Sequence, residues 1–281
     1  MTIATAAPLR PRWPGIFFNA ALHVGAAFVL LPQNFSWSAV ALFVGLWWVT
    51  GCLGITVAYH RLIAHRSFTV PKWLEYVLMF CGTLTAQGGV LVWVSYHRAH
   101  HRGVDSDGDP HTPVDGFWWS HMGWLMVHHP LKGKCERFIK DIIDDPVYRF
   151  CDRYFIEIQA AFGVLLYMLG GWPFVVWGVF FRLVFVTHVT CMVNSVTHTF
   201  GYRNYDSKDR STNQWLVAAL THGEGWHNNH HGHQYSAKFG HKWWEIDAGW
   251  MVIQCLAALG LAKNVKVPRT EPQKAELQEQ S

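Results

Sequence analysis

The sequence predicts an all-α integral membrane protein, four transmembrane helices under a cytoplasmic helical cap. Three observations carry that prediction. Only 15% of the 281 residues are charged while 51% are hydrophobic, against a charged share of roughly 25% in soluble domains. No Asp, Glu, Lys or Arg occurs between Arg12 and Arg61, or between Glu157 and Arg182. The Lys and Arg residues collect in the N-terminus, the 61–153 stretch and the C-terminal tail, which by the positive-inside tendency places both termini and the middle segment on the cytoplasmic side.

A hydrocarbon core of about 30 Å takes about 20 apolar residues in helix. Residues 15–31 and 37–58 supply one pair of spans, joined by the uncharged turn LPQNFSW at 31–37. Residues 154–171 and 173–198 supply a second pair, joined by LGGWP at 169–173. The stretch 73–93 is also long and apolar, but Gln87, Gly88 and Gly89 weaken a lipid-facing helix, and a fifth crossing would put HRLIAH (60–65) and HRAHH (97–101) on opposite membrane faces. It is therefore read as interfacial or re-entrant. Residues 1–270 form one membrane-embedded domain in this reading, and 271–281 a disordered tail. The N-terminus is expected to stay, since the run after Arg10 and Arg12 lacks a convincing cleavage site.

The six cysteines show no C-x-x-C pair and read as buried thiols, with neither a disulfide frame nor a thiolate metal site. The net charge of +4 is modest; the basic residues beside the histidines suit an anionic lipid surface or an acidic redox partner, and equally the ordinary wet flank of a membrane protein. No nucleic-acid partner is expected.

Histidines concentrate in three clusters, HRLIAH, HRAHH and HGEGWHNNHHG (222–232). Residues three and four apart share a helix face. His97, His100 and His101 have that spacing, as do His227, His230 and His231, and in each triplet the second and third rings diverge by about 100°. Such a triplet can reach two neighbouring metals. His60 and His65, five apart, would diverge by roughly 140° on an α-helix, which suits one ligand to each of two ions. Asn194 and His198 stand at i and i+4 on the last membrane helix. Nine imidazoles exceed any mononuclear site, whereas two irons with four or five each would use them all.

The remaining groups have plainer readings. His23 and His188 are expected to be hydrogen-bonded packing residues. His111, His121, His128, His129, His222, His233 and His241 are expected on the surface or in loops, with contact to the ligands as the alternative. Asp105, Asp107 and Asp109 lack the late Glu of an EF-hand loop; they read as a turn that orients the second cluster, or as hydrogen-bond partners of ligand imidazoles. The aromatic stretch GFWWSHMGW suits an acyl channel or an interfacial Trp belt. Arg182 falls near mid-bilayer, where a charge faces the bundle interior or a cavity, in a packing or a substrate role.

With these residues in view, the chain resembles the integral-membrane fatty acyl desaturases of the Δ9, stearoyl-CoA desaturase-like branch. The likeness runs from about Gly51 to Leu261 through GITVAYHRLIAHRSF, WVSYHRAHHRGVDSDGDPH, FWWSHMGWL, NSVTHTFGYR and GEGWHNNHH. It implies a di-iron centre cycling between Fe2+ and Fe3+, with His60, His65, His97, His100, His101, His198, His227, His230 and His231 as ligands and Asn194 reaching a metal through water. It also implies removal of two hydrogens from an unactivated methylene pair with O2 and two electrons. No catalytic side chain beyond the metal ligands need be sought.

Two departures from the family pattern bear on the substrate. The Arg-Asp pair that helps hold the CoA head group in the animal branch is Ser95 and Tyr96 here, and the wording QGGVLVW and GEGWHNNHH is similar to cyanobacterial-type acyl-lipid Δ9 desaturases. That resemblance implies saturated C16 or C18 chains esterified to membrane glycerolipids. At the bend of the acyl tunnel Gln87 and Thr190 match the family, while its usual Trp is Cys191, which would widen the bend. Nothing like the His-Pro-Gly-Gly signature of a fused cytochrome b5 follows the third cluster, so electrons are expected from a separate ferredoxin-type donor, docking on the flank of Arg61, Arg66, Arg98 and Arg102. A bacterial inner or thylakoid membrane is the expected location. The rival readings are an acyl-CoA Δ9 desaturase, a di-iron membrane hydroxylase and a metal transporter.

Overall fold

The structure, a computed structural model, describes residues 9–106, 108–128 and 135–268. Asp107, His129 and the 271–281 tail lie outside the described residues. Among those described, the architecture is helical, with isolated β-bridges and no strand.

Helix α1, Trp13–Ala27, carries a proline in its first turn, where the missing N–H costs nothing. Helix α2, Trp37–Trp47, starts at Ser36, whose side chain accepts from Ala39 N at 3.2 Å. It runs without a break into a π-helical segment, Trp48–Ala64. Helices α3 (Lys72–Thr83) and α4 (Val90–Arg102) follow, then the short α5 (Phe117–His121) and α6 (Pro146–Arg153). Helix α7, Phe155–Val175, leads through a π-helical turn into α8, Arg182–Ser195, and the chain closes with α9 (Trp215–Leu220), α10 (His227–Gly232) and α11 (Ala248–Ala258).

Three helical stretches are long and apolar enough to cross a membrane, Trp13–Leu30, Trp37–Ala64 and Phe155–His198. The third is not straight. Gly170 and Gly171 leave helical geometry, Gly171 at φ 65° and ψ −158° where a Cβ would be strained. Gly163 then faces Val179, and Gln159 reaches Arg182 at 3.1 Å, so the two legs run antiparallel. This reversal falls within LGGWP. Phe17, Val24, Val164 and Met168 stay exposed on α1 and α7, as does Leu30 in the 3-10 turn after α1, an apolar belt that suits hydrocarbon rather than water.

The 73–93 stretch is not one helix. It breaks between α3 and α4, where Ala86 and Gly88 have positive φ, and it is not among the long apolar helices. Helix α3 lies so close to the π-helical segment that a Cβ on Gly54 would fall 2.4 Å from the backbone N of Gly82. The main core forms there, around Tyr59, Met79, Val90 and Ile253.

Arg182 is fully buried and serves packing. It donates to the carbonyls of Gly178 (2.6 Å) and Leu84 (2.8 Å), to Gln159 Oε1, and to Thr50 Oγ1 at 3.3 Å. One guanidinium thus ties α7, α8, the π-helical segment and the α3–α4 break together. His23 and His188 pair at 2.9 Å, as their packing role predicts. Of the five cysteines whose side chains are described, all are free; Cys52, Cys151 and Cys191 are buried, and Cys255 is exposed against expectation.

Candidate metal centre

Four elements bring the nine histidines together. The π-helical segment ends at His60 and His65, α4 carries His97, His100 and His101, α10 carries His227, His230 and His231, and His198 follows α8 by a single 3-10 turn. They form two adjoining groups. One ring nitrogen from each of His60, His65, His97, His101 and His230 lies within 4.8 Å of every other, and His100, His198, His227 and His231 form a second such group. Each triplet is divided between the two, as its helical spacing predicts. Asn194 stands half-buried on α8 one turn before His198.

The placing of His60 and His65 corrects the sequence expectation. They share one group instead of serving two. The reason is local: the backbone here is π-helical, and its i→i+5 hydrogen bonds stack residues five apart on one face.

The ring nitrogens approach one another closely. His65 Nε2 lies 2.7 Å from His97 Nε2, His230 Nε2 lies 2.9 Å from His101 Nε2 and 3.2 Å from His60 Nε2, and His227 Nε2 lies 3.1 Å from His198 Nε2. Carboxylates stand behind the rings. Glu224 accepts a hydrogen bond from the Nδ1–H of His60, Asp109 from that of His100 at 2.9 Å, and Asp209 from that of His231 at 2.9 Å; Asp105 lies 3.4 Å from His198 Nδ1. A proton fixed on Nδ1 leaves a lone pair on Nε2. Converging lone pairs repel unless a cation sits among them, and His231 Nε2 is buried with no protein partner. The donor set therefore fits metal ions, one per group, and all-nitrogen ligation suits iron.

Protonation states agree with that fit. Burial, reinforced by the neighbouring imidazoles, holds His65, His97, His101, His227 and His230 well below the ordinary imidazole pKa. Burial lowers His231 to about 4, with Asp209 pulling the other way. For Asp109 and Asp209 burial alone would raise the pKa, but the facing imidazoles and N–H donors outweigh it and hold both carboxyls well below the usual range. At neutral pH these six rings are neutral and these two carboxyls ionised, which is the state a metal binds.

A family model described as Fatty acid desaturase matches residues 35–258. The chain belongs to the fatty acid desaturase family. Within it, a protein named sn-1 stearoyl-lipid 9-desaturase from Anabaena variabilis is 58% identical over 267 residues, covering 95% of this chain and 98% of its own. One of the same name from a Synechocystis species is 55% identical, covering 92% and 82%. A protein named sn-2 palmitoyl-lipid 9-desaturase from a Nostoc species is 47% identical, covering 94% and 93%.

Several residues of this desaturase were misplaced or missed in the sequence. Arg61 is not a surface cation. It is fully buried, donates to Glu224 (3.2 Å), Asp247 (2.9 Å) and the Ala237 carbonyl (2.9 Å), and lies over the Phe239 ring, which itself packs on His60 and His230. Arg98 is spent on Asp141 and the carbonyls of Ile63, Ala64 and Phe138. Arg66 is exposed but paired with Asp141, and Arg102 is exposed. His111 and His222 lie in turns, as expected, but are buried, and His121, expected on the surface or in a loop, is buried on α5. Asp109 both orients the turn, accepting from the backbone of Asp105 and His111, and holds His100. Glu224 and Asp209 carried no local signal, because Glu224 lies 164 residues from His60 and Asp209 lies outside the quoted clusters.

An apolar cleft lies between the π-helical segment and α8. Trp47, Gly51, Thr56, His222 and Glu224 line it, and Glu224, which holds His60, connects it to the first group. Thr190 lines it as well and receives a hydrogen bond from Gln87 Nε2 at 3.1 Å. Cys191 is buried beside it but is not part of the lining.

Proposed function

We infer that the chain is an acyl-lipid Δ9 desaturase, which places a cis double bond in saturated C16 or C18 chains esterified to membrane glycerolipids. The observation that carries this reading is the pair of imidazole groups, five and four, beside an apolar cleft that shares Glu224 with the first group. The relatives' names supply the lipid-linked substrate and the position. In this reading the nine histidines hold two irons, and Asn194 contacts one of them through water. When bound, the irons supply the oxidation of an unactivated methylene pair by O2 and two electrons.

The protein's own part is to hold and exclude. The cleft wall excludes water and fixes which carbons face the imidazole groups. Gln87 and Thr190 join the α3–α4 break to α8 at the cleft wall. The reversal at Gly170–Gly171 makes four membrane crossings, with both termini and the histidine-bearing segments on the cytoplasmic side. A ferredoxin-type donor supplies the electrons.

The test is lipid-class-resolved fatty-acid analysis in a host that expresses the chain beside a ferredoxin system, with lipase cleavage to separate the two glycerol positions. The expected result is Δ9 monoenes confined to one position of intact glycerolipids. Monoenes arising first in the acyl-CoA pool would overturn the substrate, and hydroxylated products would overturn the reaction.

A further inference from the structure

The two imidazole groups differ in what stands behind them. Three carboxylates back the four-histidine group, Asp109 on His100, Asp209 on His231 and Asp105 beside His198. Among the described residues no Lys or Arg is ion-paired with any of the three. Their other partners are the backbone N–H groups of Asp105 (3.1 Å), His111 (3.1 Å), Arg210 (2.7 Å) and Ser211 (2.8 Å), the hydroxyls of Ser207 and Ser211, and the His111 imidazole, 3.5 Å from Asp109. Their charge is therefore uncompensated except by what the imidazoles hold.

Behind the five-histidine group the negative charge is smaller. Among the described residues Glu224, on His60, is the one carboxylate bonded to a histidine of that group, and Arg61 contacts it through Nε at 3.3 Å and Nη2 at 3.2 Å. Arg61 is fully buried, so no water screens the pair, and it also pairs with Asp247 at 2.9 Å, so Glu224, Arg61 and Asp247 together keep one net negative charge against three behind the other group. Arg98, paired with Asp141 at 2.7 Å, adds no net charge there.

Attraction between a cation and a carboxylate one imidazole away is strong in a low-dielectric interior, and a neighbouring guanidinium weakens it. The fifth imidazole adds a neutral ligand but no charge. We propose that the two metal positions of this chain are unequal: the four-histidine position fills first and holds its metal tightly, and the five-histidine position fills second and empties first. The inference rests on the two-metal reading above. Asp105, Asp109 and Asp209 act as positioning residues that set this order, and the Glu224–Arg61 pair keeps the other position weak.

The experiment titrates the purified apo protein with Co2+ alone against a competing chelator and counts bound metal by elemental analysis. The wild-type chain is expected to bind in two steps separated by about ten-fold to a hundred-fold in affinity, the range in which outer hydrogen-bond partners act on metal sites. His97→Ala, confined to the five-histidine group, keeps the tight step, whereas His227→Ala, confined to the other, keeps only the weak one. Asp209→Asn preserves shape and removes the charge while its amide oxygen still accepts on one side, so it reports even if a histidine variant fails to fold, and it weakens the tight step alone. Two equivalents bound with one affinity, or a tight step that survives in His227→Ala, overturns the proposal. No Co2+ bound at any step overturns the two-metal reading beneath it.

Discussion

The backbone N–H of His65 donates to the carbonyl of His60 at 3.0 Å, across five residues. That bond stacks the two imidazoles into one group, within 4.8 Å of His97, His101 and His230. In an α-helix the same spacing would separate the rings by roughly 140°. The π-helical register is therefore a condition of the five-membered group. Moving the second ligand to the α-helical spacing, with Ala64→His and His65→Ala together, is expected to cost about half of the bound iron, since one position loses a ligand while the four-histidine group is untouched. Iron per folded chain measures it, and full iron content would show that the register is immaterial.

Gln87 donates from Nε2 to Thr190 Oγ1 at 3.1 Å and to the Val186 carbonyl at 3.3 Å, joining the α3–α4 break to the wall of the cleft. Gln87→Leu keeps the volume and removes both bonds. It is expected to cost about 1–2 kcal/mol of stability, as for two ordinary hydrogen bonds in a part-buried place. A looser wall is also expected to blur the position of the double bond, giving a mixture of positional isomers. Product analysis after cleavage at the double bond decides; a single Δ9 isomer at wild-type rate would remove Gln87 from the positioning of the chain.

The histidine triplets were legible because their division between two groups follows from helical spacing alone, which local sequence specifies. The π-helical register was not, since no residue type in HRLIAH distinguishes i→i+4 from i→i+5 bonding. The apolar runs and the reversal at LGGWP were legible from hydropathy and glycine placement. Arg61 was misread because it shares its neighbourhood in sequence with surface cations, while its partners Glu224 and Asp247 lie more than 160 residues away and only folding brings them together. His222 was misread for the same reason: its burial comes from Trp47 and Gly51, on an element remote in the chain.

Arg182 is a buried cation that meets no carboxylate among the described residues and is held by the oxygens of Gly178, Leu84, Gln159 and Thr50. Arg182→Met removes the charge but leaves those acceptors without a donor inside the bundle. The unmade bonds outweigh the relief, and a loss of about 3 kcal/mol is expected. Because the residue contacts none of the nine histidines, the folded fraction is expected to keep its iron. A lowered unfolding temperature in detergent with unchanged iron per folded chain is the predicted pair of results; a lost metal at unchanged stability would place Arg182 in the site.

His222 combines two costly features. Its φ is +60°, a left-handed conformation uncommon outside glycine, and its Nε2 is buried without a partner. The ring lines the cleft against Trp47, at a centroid distance of 5.0 Å, and lies so near Gly51 that a Cβ there would stand 3.2 Å from Nε2. His222→Gly relieves backbone strain of about 1 kcal/mol or more and vacates the space of the ring, so the variant is expected to be no less stable through its backbone while its cleft is deeper. His222→Phe keeps the ring but not the nitrogen. The glycine variant is expected to favour longer acyl chains, measured as the ratio of C18 to C16 products from a mixed lipid pool, and the phenylalanine variant to keep the wild-type ratio. An unchanged ratio in the glycine variant would mean that the chain ends elsewhere, and a changed ratio in both would mean that the unpaired nitrogen, rather than the volume, sets the length.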